Sequence, residues 1–237
     1  MTGCQNCNDQ LNSPFCPTCG RASKLKRIDG HYIIHEIEHV LHFEKGILYT
    51  ILGLLTKPGE SVRNFFFENR SRLVKPIIFI IITSLLYTIV THFFHLEDGY
   101  IKYDEVKKSA TILIFKWVQD HYGYSNIIMG AFIALWIKIL FKKHNYNFFE
   151  ILILLCFVMG MGMLFFTIFA IFQVITHIEL MQAGGIIGFL YAAWAIGQFF
   201  GKEKFTNYLK ALAAYILGFI TFSLSAILLG KLIDLII

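Results

Sequence analysis

From Ile151 to Thr176 the sequence runs for 26 residues without one Asp, Glu, Lys or Arg. Few folds can use such a run. Crossing about 30 Å of hydrocarbon takes about 20 mostly apolar residues in a helix. Inside lipid, a helix or a closed barrel is the structure that satisfies its own backbone. Runs of the same kind recur at 76–96, 181–201 and 211–230. A fifth, 125–141, is interrupted by Lys138 in its last turn, where a long side chain can snorkel to the headgroups. The chain therefore reads as mainly α, a polytopic membrane helical bundle of about five transmembrane helices over residues 76–237. Composition agrees: 16% of the 237 residues are charged, against about a quarter in soluble domains, and 24 are Phe. Residues 1–42 are mostly polar, so no secretory signal is expected.

Loop charges test the count and set the orientation. Residues 1–75 carry ten Lys/Arg. After the first span, Lys102, Lys107, Lys108 and Lys116 are offset by Glu97, Asp98, Asp104, Glu105 and Asp120. The next loop is basic (Lys142, Lys143), 177–180 has no cation, and Lys202, Lys204 and Lys210 follow. Basic and non-basic loops alternate, which fits five spans with a cytoplasmic N-terminus and an outer C-terminus in a cytoplasmic (inner) membrane. The net charge of +5 lies mostly beside the spans, so it reads as a topology signal and no nucleic-acid partner is expected. Within the spans, Gly160 and Gly162, and the pair Gly184 and Gly188, are small residues that let helix backbones approach closely. Intramolecular packing is the simpler use for them. Cys156, inside an apolar run, reads as a small buried hydrophobe.

The chain begins with two CxxC pairs, Cys4/Cys7 and Cys16/Cys19, eight residues apart. Four thiolates suit tetrahedral Zn²⁺. With all four positions filled by sulfur, the Zn²⁺ is expected to be structural, folding a segment too short to have its own core. Residues 1–22 are accordingly read as a zinc ribbon. A redox dithiol or iron–sulfur centre is the rival, but no thioredoxin-like pattern surrounds the motif.

Residues 23–75 read as cytoplasmic amphipathic and interfacial helices. His31, His35, His39 and His42 fall within an arc of about 80° at 100° per residue, opposite Ile33, Ile34, Ile37, Val40 and Leu41. That face is either a second metal site, using His at i, i+4, or a polar surface. Gly46 to Leu55 is apolar but too short to span, and is expected along the interface. Lys57-Pro58-Gly59 should break it, with Ser61 capping a short helix through Phe65, Phe66 and Phe67. Arg70, Arg72 and Lys75 are placed at headgroup level. The stretch from Val106 to Gly123 is expected as an amphipathic helix outside, with Trp117 and Tyr122 at the interface.

The CxxC…CxxCG start, the HEIEHVLHFEKGILYT stretch, the KPG turn and Arg70…Lys75-Pro76 together resemble a bacterial family of zinc-ribbon membrane proteins classified only as a domain of unknown function. The resemblance covers roughly the first 90 residues and implies no catalytic residues. A weaker, architectural resemblance is to the Yip family of five-helix membrane proteins.

Coupled transport usually needs ionisable groups or broken helices near the midplane. The spans hold no Asp or Glu near their centres, and Gln173 and Gln198 are their most polar side chains, beside Thr83, Ser84, Ser223 and Ser225. Intramembrane hydrolysis would need a Ser/His pair, and Ser84 lies two or more turns from His92 and His95. The expectation is a non-enzymatic scaffold or adaptor whose zinc ribbon engages an unidentified cytoplasmic or membrane protein. The alternative is a small transporter, channel or lipid-handling protein, and a membrane enzyme ranks below both.

Overall fold

A computed structural model describes residues 18, 46–68, 70, 72–94, 96 and 109–236. The chain divides into two units, Met1–Glu44 and Lys45–Ile237, and the architecture below is that of the second. The described residues form eight α-helices: α1 Ile47–Thr56, α2 Pro58–Phe67, α3 Pro76–Phe93, α4 Ala110–Asp120, α5 Tyr122–Leu140, α6 Phe148–Thr176, α7 Met181–Gly201 and α8 Phe205–Ile236.

The helix ends follow from local chemistry. Proline opens both α2 and α3, where its missing N–H costs nothing. A capping box starts α6: the Glu150 N–H donates to Asn147 Oδ1 at 2.8 Å, and the Asn147 N–H donates to Glu150 Oε2 at 2.7 Å. At the far end of α6, His177 takes the left-handed conformation (φ 56°). Gln173 Oε1 there accepts the N–H groups of Leu180 and Met181. Both α6 and α8 run past the charge-free limits read from sequence. Glu150 belongs to the cap of α6, and Lys210 sits within the early turns of α8, so neither charge ends a helix.

Helices α5, α6, α7 and α8 each pack on the next, and α8 closes back on α5. Helix α3 packs on α6 and touches α5, and the short α4 lies on α8. Phe157, Leu154 and Ile151 of α6, Ile196 of α7, Ile133 of α5 and Phe79 of α3 are buried in one core. Small residues allow the close crossings. A Cβ at Gly218 of α8 would sit 2.6 Å from Ile133 Cα, and one at Gly160 would sit 2.7 Å from Phe79. Gly184 faces Phe169 and Gly188 faces Gly162, so this pair serves packing between α6 and α7. Cys156 is buried and unpaired with any other sulfur.

The outward faces are apolar. On α3, Ile77, Ile81, Leu85 and Ile89 are exposed at four-residue spacing, and on α8 Phe219, Leu224, Leu228 and Leu232 are exposed. Water would make such faces costly, whereas lipid matches them. Four helices, α3, α6, α7 and α8, are long and apolar enough to cross a membrane, which marks a multi-pass membrane protein. The fifth expected span departs from this set. The described part of α5, Tyr124–Leu140, qualifies only together with α4, from which it turns by 104°. That segment is a little shorter than the other spans, its start carries the buried Ser125 and Asn126, and Lys138 lies near its end. Lys138 Nζ donates to the Tyr146 carbonyl in the following loop, at 3.3 Å.

Candidate functional site: the α1–α2 hairpin

Helices α1 and α2 form a hairpin broken at a single residue, Lys57 (φ −142°, ψ 62°). The sequence placed the start of the second helix at Ser61. The structure places it at Pro58, because Pro–Gly–Glu suits a first helical turn and Glu60 adds a favourable charge there. Ser61 lies inside α2 and faces Gly53 of α1, where an added Cβ would be 3.0 Å from its Oγ.

The hairpin is seated on the last turn of α7. The Gly59 N–H donates to Gln198 Oε1 at 2.8 Å. One nitrogen of Arg63, Nη1, donates to the carbonyls of both Gln198 and Phe199, each at 2.8 Å. Asn207 Nδ2 of α8 donates to the carbonyls of Phe200 and Gly201, at 3.2 and 3.0 Å. The last four carbonyls of a helix have no partner within it. In α7, side chains from two other helices supply donors to all four. Arg63 also brings a full positive charge to the negative end of the helix dipole.

Further contacts seat α1. Tyr191 Oη of α7 donates to the Leu54 carbonyl at 3.0 Å, and the Val74 N–H donates to Thr50 Oγ1 at 3.1 Å. Leu54 and Val62 are fully buried in the same core as the long helices. Phe65 packs edge-on against Phe157 at 5.4 Å, and Phe66 against Phe199 at 5.9 Å. Tyr146 joins this aromatic group at 4.8 Å from Phe199. Burial raises the Tyr146 phenol above its ordinary pKa, the nearby Arg63 charge acts in the opposite direction, and Glu150 adds to the rise.

Between α1 and α2 lies an open cleft of about 500 Å³. Tyr49, Leu52 and Gly53 line it from α1, and Glu60, Asn64 and Glu68 from α2 and its end. Lys57 and Arg72 complete its charged rim. Lys57 and Glu60 pair at 3.9 Å. The Arg72 guanidinium lies 5.3 Å from the Tyr49 ring centroid, a cation–π geometry.

Of the basic residues expected at headgroup level, Arg70, Arg72 and Lys75 are all exposed, and Lys75 immediately precedes α3. The four cysteines Cys4, Cys7, Cys16 and Cys19 and the histidines His31, His35, His39 and His42 lie outside the described residues. Among the described residues no group of three or more His, Cys, Asp or Glu is placed to hold a metal. Ser84 is buried on α3 and His92 is exposed eight positions later, about 12 Å along the helix. Gln173 and Gln198, the most polar side chains of the spans, are both backbone acceptors at helix ends. Arg63 and Asn207 escaped the sequence reading, since nothing local marks a side chain that caps another helix.

Residues 44–88 match a protein-family model described as protein of unknown function (DUF3667). The match takes in the hairpin, the link to α3 and most of α3, and so Gly59, Arg63 and Arg72. It begins after the cysteine pairs and the histidine face, narrower than the resemblance read over the first 90 residues. No curated protein and no solved structure matches the chain. The comparisons thus support the family of unknown function and lend the Yip likeness no support.

Proposed function

We propose that this chain is a non-enzymatic membrane scaffold. Its zinc ribbon (Cys4, Cys7, Cys16, Cys19) engages a cytoplasmic partner, and its hairpin fixes the root of that module to the bundle. What supports this reading is the seating of α1–α2 on α7 through Gly59, Arg63 and Tyr191. The N-terminal unit ends at Glu44, and within a few residues the chain is locked into the bundle core at Thr50 and Leu54.

Charge supports a cytoplasmic hairpin end. Phe141 stacks on Phe200 at 4.0 Å and Tyr146 contacts Phe66 and Phe199, so the hairpin, the α5–α6 loop and the α7–α8 loop share one end. Lys57, Arg63, Arg72, Lys142, Lys202 and Lys204 belong to that end, and such cations favour the cytoplasmic side.

In-cell crosslinking followed by detergent purification tests the reading. Wild type and a Cys16→Ser/Cys19→Ser variant at equal expression should differ in one or more cytoplasmic partners. Identical partners in both, or lipid alone, would end it. The lipid-handling alternative has one observation in its favour, the open cleft between α1 and α2.

A further inference from the structure

We propose that the cleft between α1 and α2 is the headgroup site for a zwitterionic aminophospholipid of the surrounding bilayer. Arg72 takes the phosphate, Glu68 takes the ammonium, and the exposed leucines of α1 meet the acyl chains. The proposal goes beyond the scaffold reading and does not need the zinc module. It needs only that the bundle sits in a bilayer.

The argument begins with the two faces of α1. Thr50 and Leu54 are fully buried against the bundle. Leu48, Leu52 and Leu55 are 75%, 61% and 41% exposed, and they fall within an arc of about 60° on the opposite side of the helix. A helix seated in the bundle core with a leucine stripe facing outward is built for lipid on its free side. The cleft adjoins that stripe, because Leu52 belongs to both.

Charge then selects the headgroup. The rim holds two cations, Lys57 and Arg72, and two carboxylates, Glu60 and Glu68. Lys57 and Glu60 neutralise each other. Among the described residues the Arg72 guanidinium makes no hydrogen bond or ion pair, and it lies over the Tyr49 ring at 5.3 Å, which leaves its planar fork available to a phosphate. The Glu68 carboxylate has no hydrogen bond or ion pair among the described residues, only the backbone N–H being bonded, to the Asn64 carbonyl, and Glu68 lies four positions before Arg72. An anionic headgroup would leave Glu68 beside like charge. A headgroup carrying both a phosphate and a primary ammonium satisfies Arg72 and Glu68 together, with Asn64 available as a further donor on the cleft wall.

The test uses the full chain, delipidated in detergent, and native mass spectrometry with chain-matched phosphatidylethanolamine, phosphatidylglycerol and phosphatidylcholine. Wild type should retain phosphatidylethanolamine best. Arg72→Gln should weaken that retention by about tenfold, the loss of one charge-assisted contact. Glu68→Lys should reverse the preference toward phosphatidylglycerol. Both positions are exposed, and an unchanged thermal transition for each variant would show that folding is intact. Soluble glycerophosphoethanolamine should compete poorly, since the leucine stripe contributes to binding. Equal retention of all three lipids, a wild-type preference for phosphatidylglycerol, or a preference untouched by both variants would overturn the proposal. Competition by the soluble headgroup as strong as that of the lipid would overturn the part given to the leucines.

Discussion

Gly59 and Arg63 are one helical turn apart, and each meets α7 in a way that few other residues could reproduce. A Cβ at Gly59 would lie 2.5 Å from the backbone of Gln198 and Phe199. Backbone cannot swing aside as a side-chain tip can, so Gly59→Ala must push the hairpin off α7. The expected cost is about 1–3 kcal/mol, typical of forcing volume into a packed contact, read as a lower thermal midpoint in detergent and faster proteolysis near Lys57. Arg63→Met removes the donor from two helix-end carbonyls while keeping much of the apolar stem. Losing hydrogen bonds from a charged group suggests about 2 kcal/mol, and Arg63→Lys should recover part of it, since a single nitrogen serves both carbonyls. Equal stability of the Met variant and wild type would show that the carbonyls find water and that Arg63 is not a cap. These roles were illegible in the sequence for a physical reason. Gln198 was visible as a polar residue inside a span, but its partner Gly59 is 139 positions away. A local pattern shows that a polar group exists and does not show what satisfies it.

The elements that the sequence revealed best are those whose limits are set by solvent. Helix α7 runs from Met181 to Gly201, the same stretch as its charge-free run, because loops bearing Glu179 and Lys202 bound it on either side. Elements whose limits are set by packing were harder. Helix α4 spans Ala110–Asp120 and turns sharply into α5, shorter than the amphipathic stretch drawn from Val106 to Gly123. Its N-terminus is fixed from far along the chain. Asp234 of α8 accepts the Ala110 N–H through Oδ1 at 2.6 Å and the Ser109 hydroxyl through Oδ2 at 2.7 Å. This is an N-cap supplied by another helix, and the Gly230–Thr111 contact nearby gives α4 its close approach. Asp234→Ala should therefore act on α4 alone. Amide exchange in its first turn should quicken, while α6 and α7 stay protected. Unchanged exchange at residues 110–113 would mean that the glycine contact alone holds α4 in place.

At the scale of the molecule, the open question between sequence and structure is the path of α5. Four helices are long and apolar enough to cross on their own. An even number of crossings would put both ends of the chain on one side, and the alternation of basic loops would then have no cause. A fifth crossing requires α4 and α5 to act as one span broken at their 104° bend, and the packing of α5 is compatible with it. Helix α5 has 19 residues, about 28 Å at 1.5 Å per residue, close to the about 30 Å of a hydrocarbon core. It runs antiparallel to α8, with Ile133 against Gly218 and Phe132 against Phe222, and ends where Phe141 meets Phe200 at the hairpin end. Asp234 caps α4, and α5 itself lines α8 from Phe222 toward Lys210. Lys138 is bonded to the Tyr146 carbonyl beyond the helix end, whereas the buried Ser125 Oγ and Asn126 Nδ2 have no hydrogen-bond partner among the described residues, a cost borne at the start of α5. Topology reporters placed at Asp120 and Lys143 should accordingly lie on opposite sides, Lys143 with Lys204 in the cytoplasm and Asp120 with Glu179 outside. A reporter at the C-terminus should also read as outside. If Asp120 and Lys143 reported the same side, α5 would be a re-entrant segment, four spans would be the count, and the cytoplasmic assignment of the hairpin end would have to be rebuilt without loop charge.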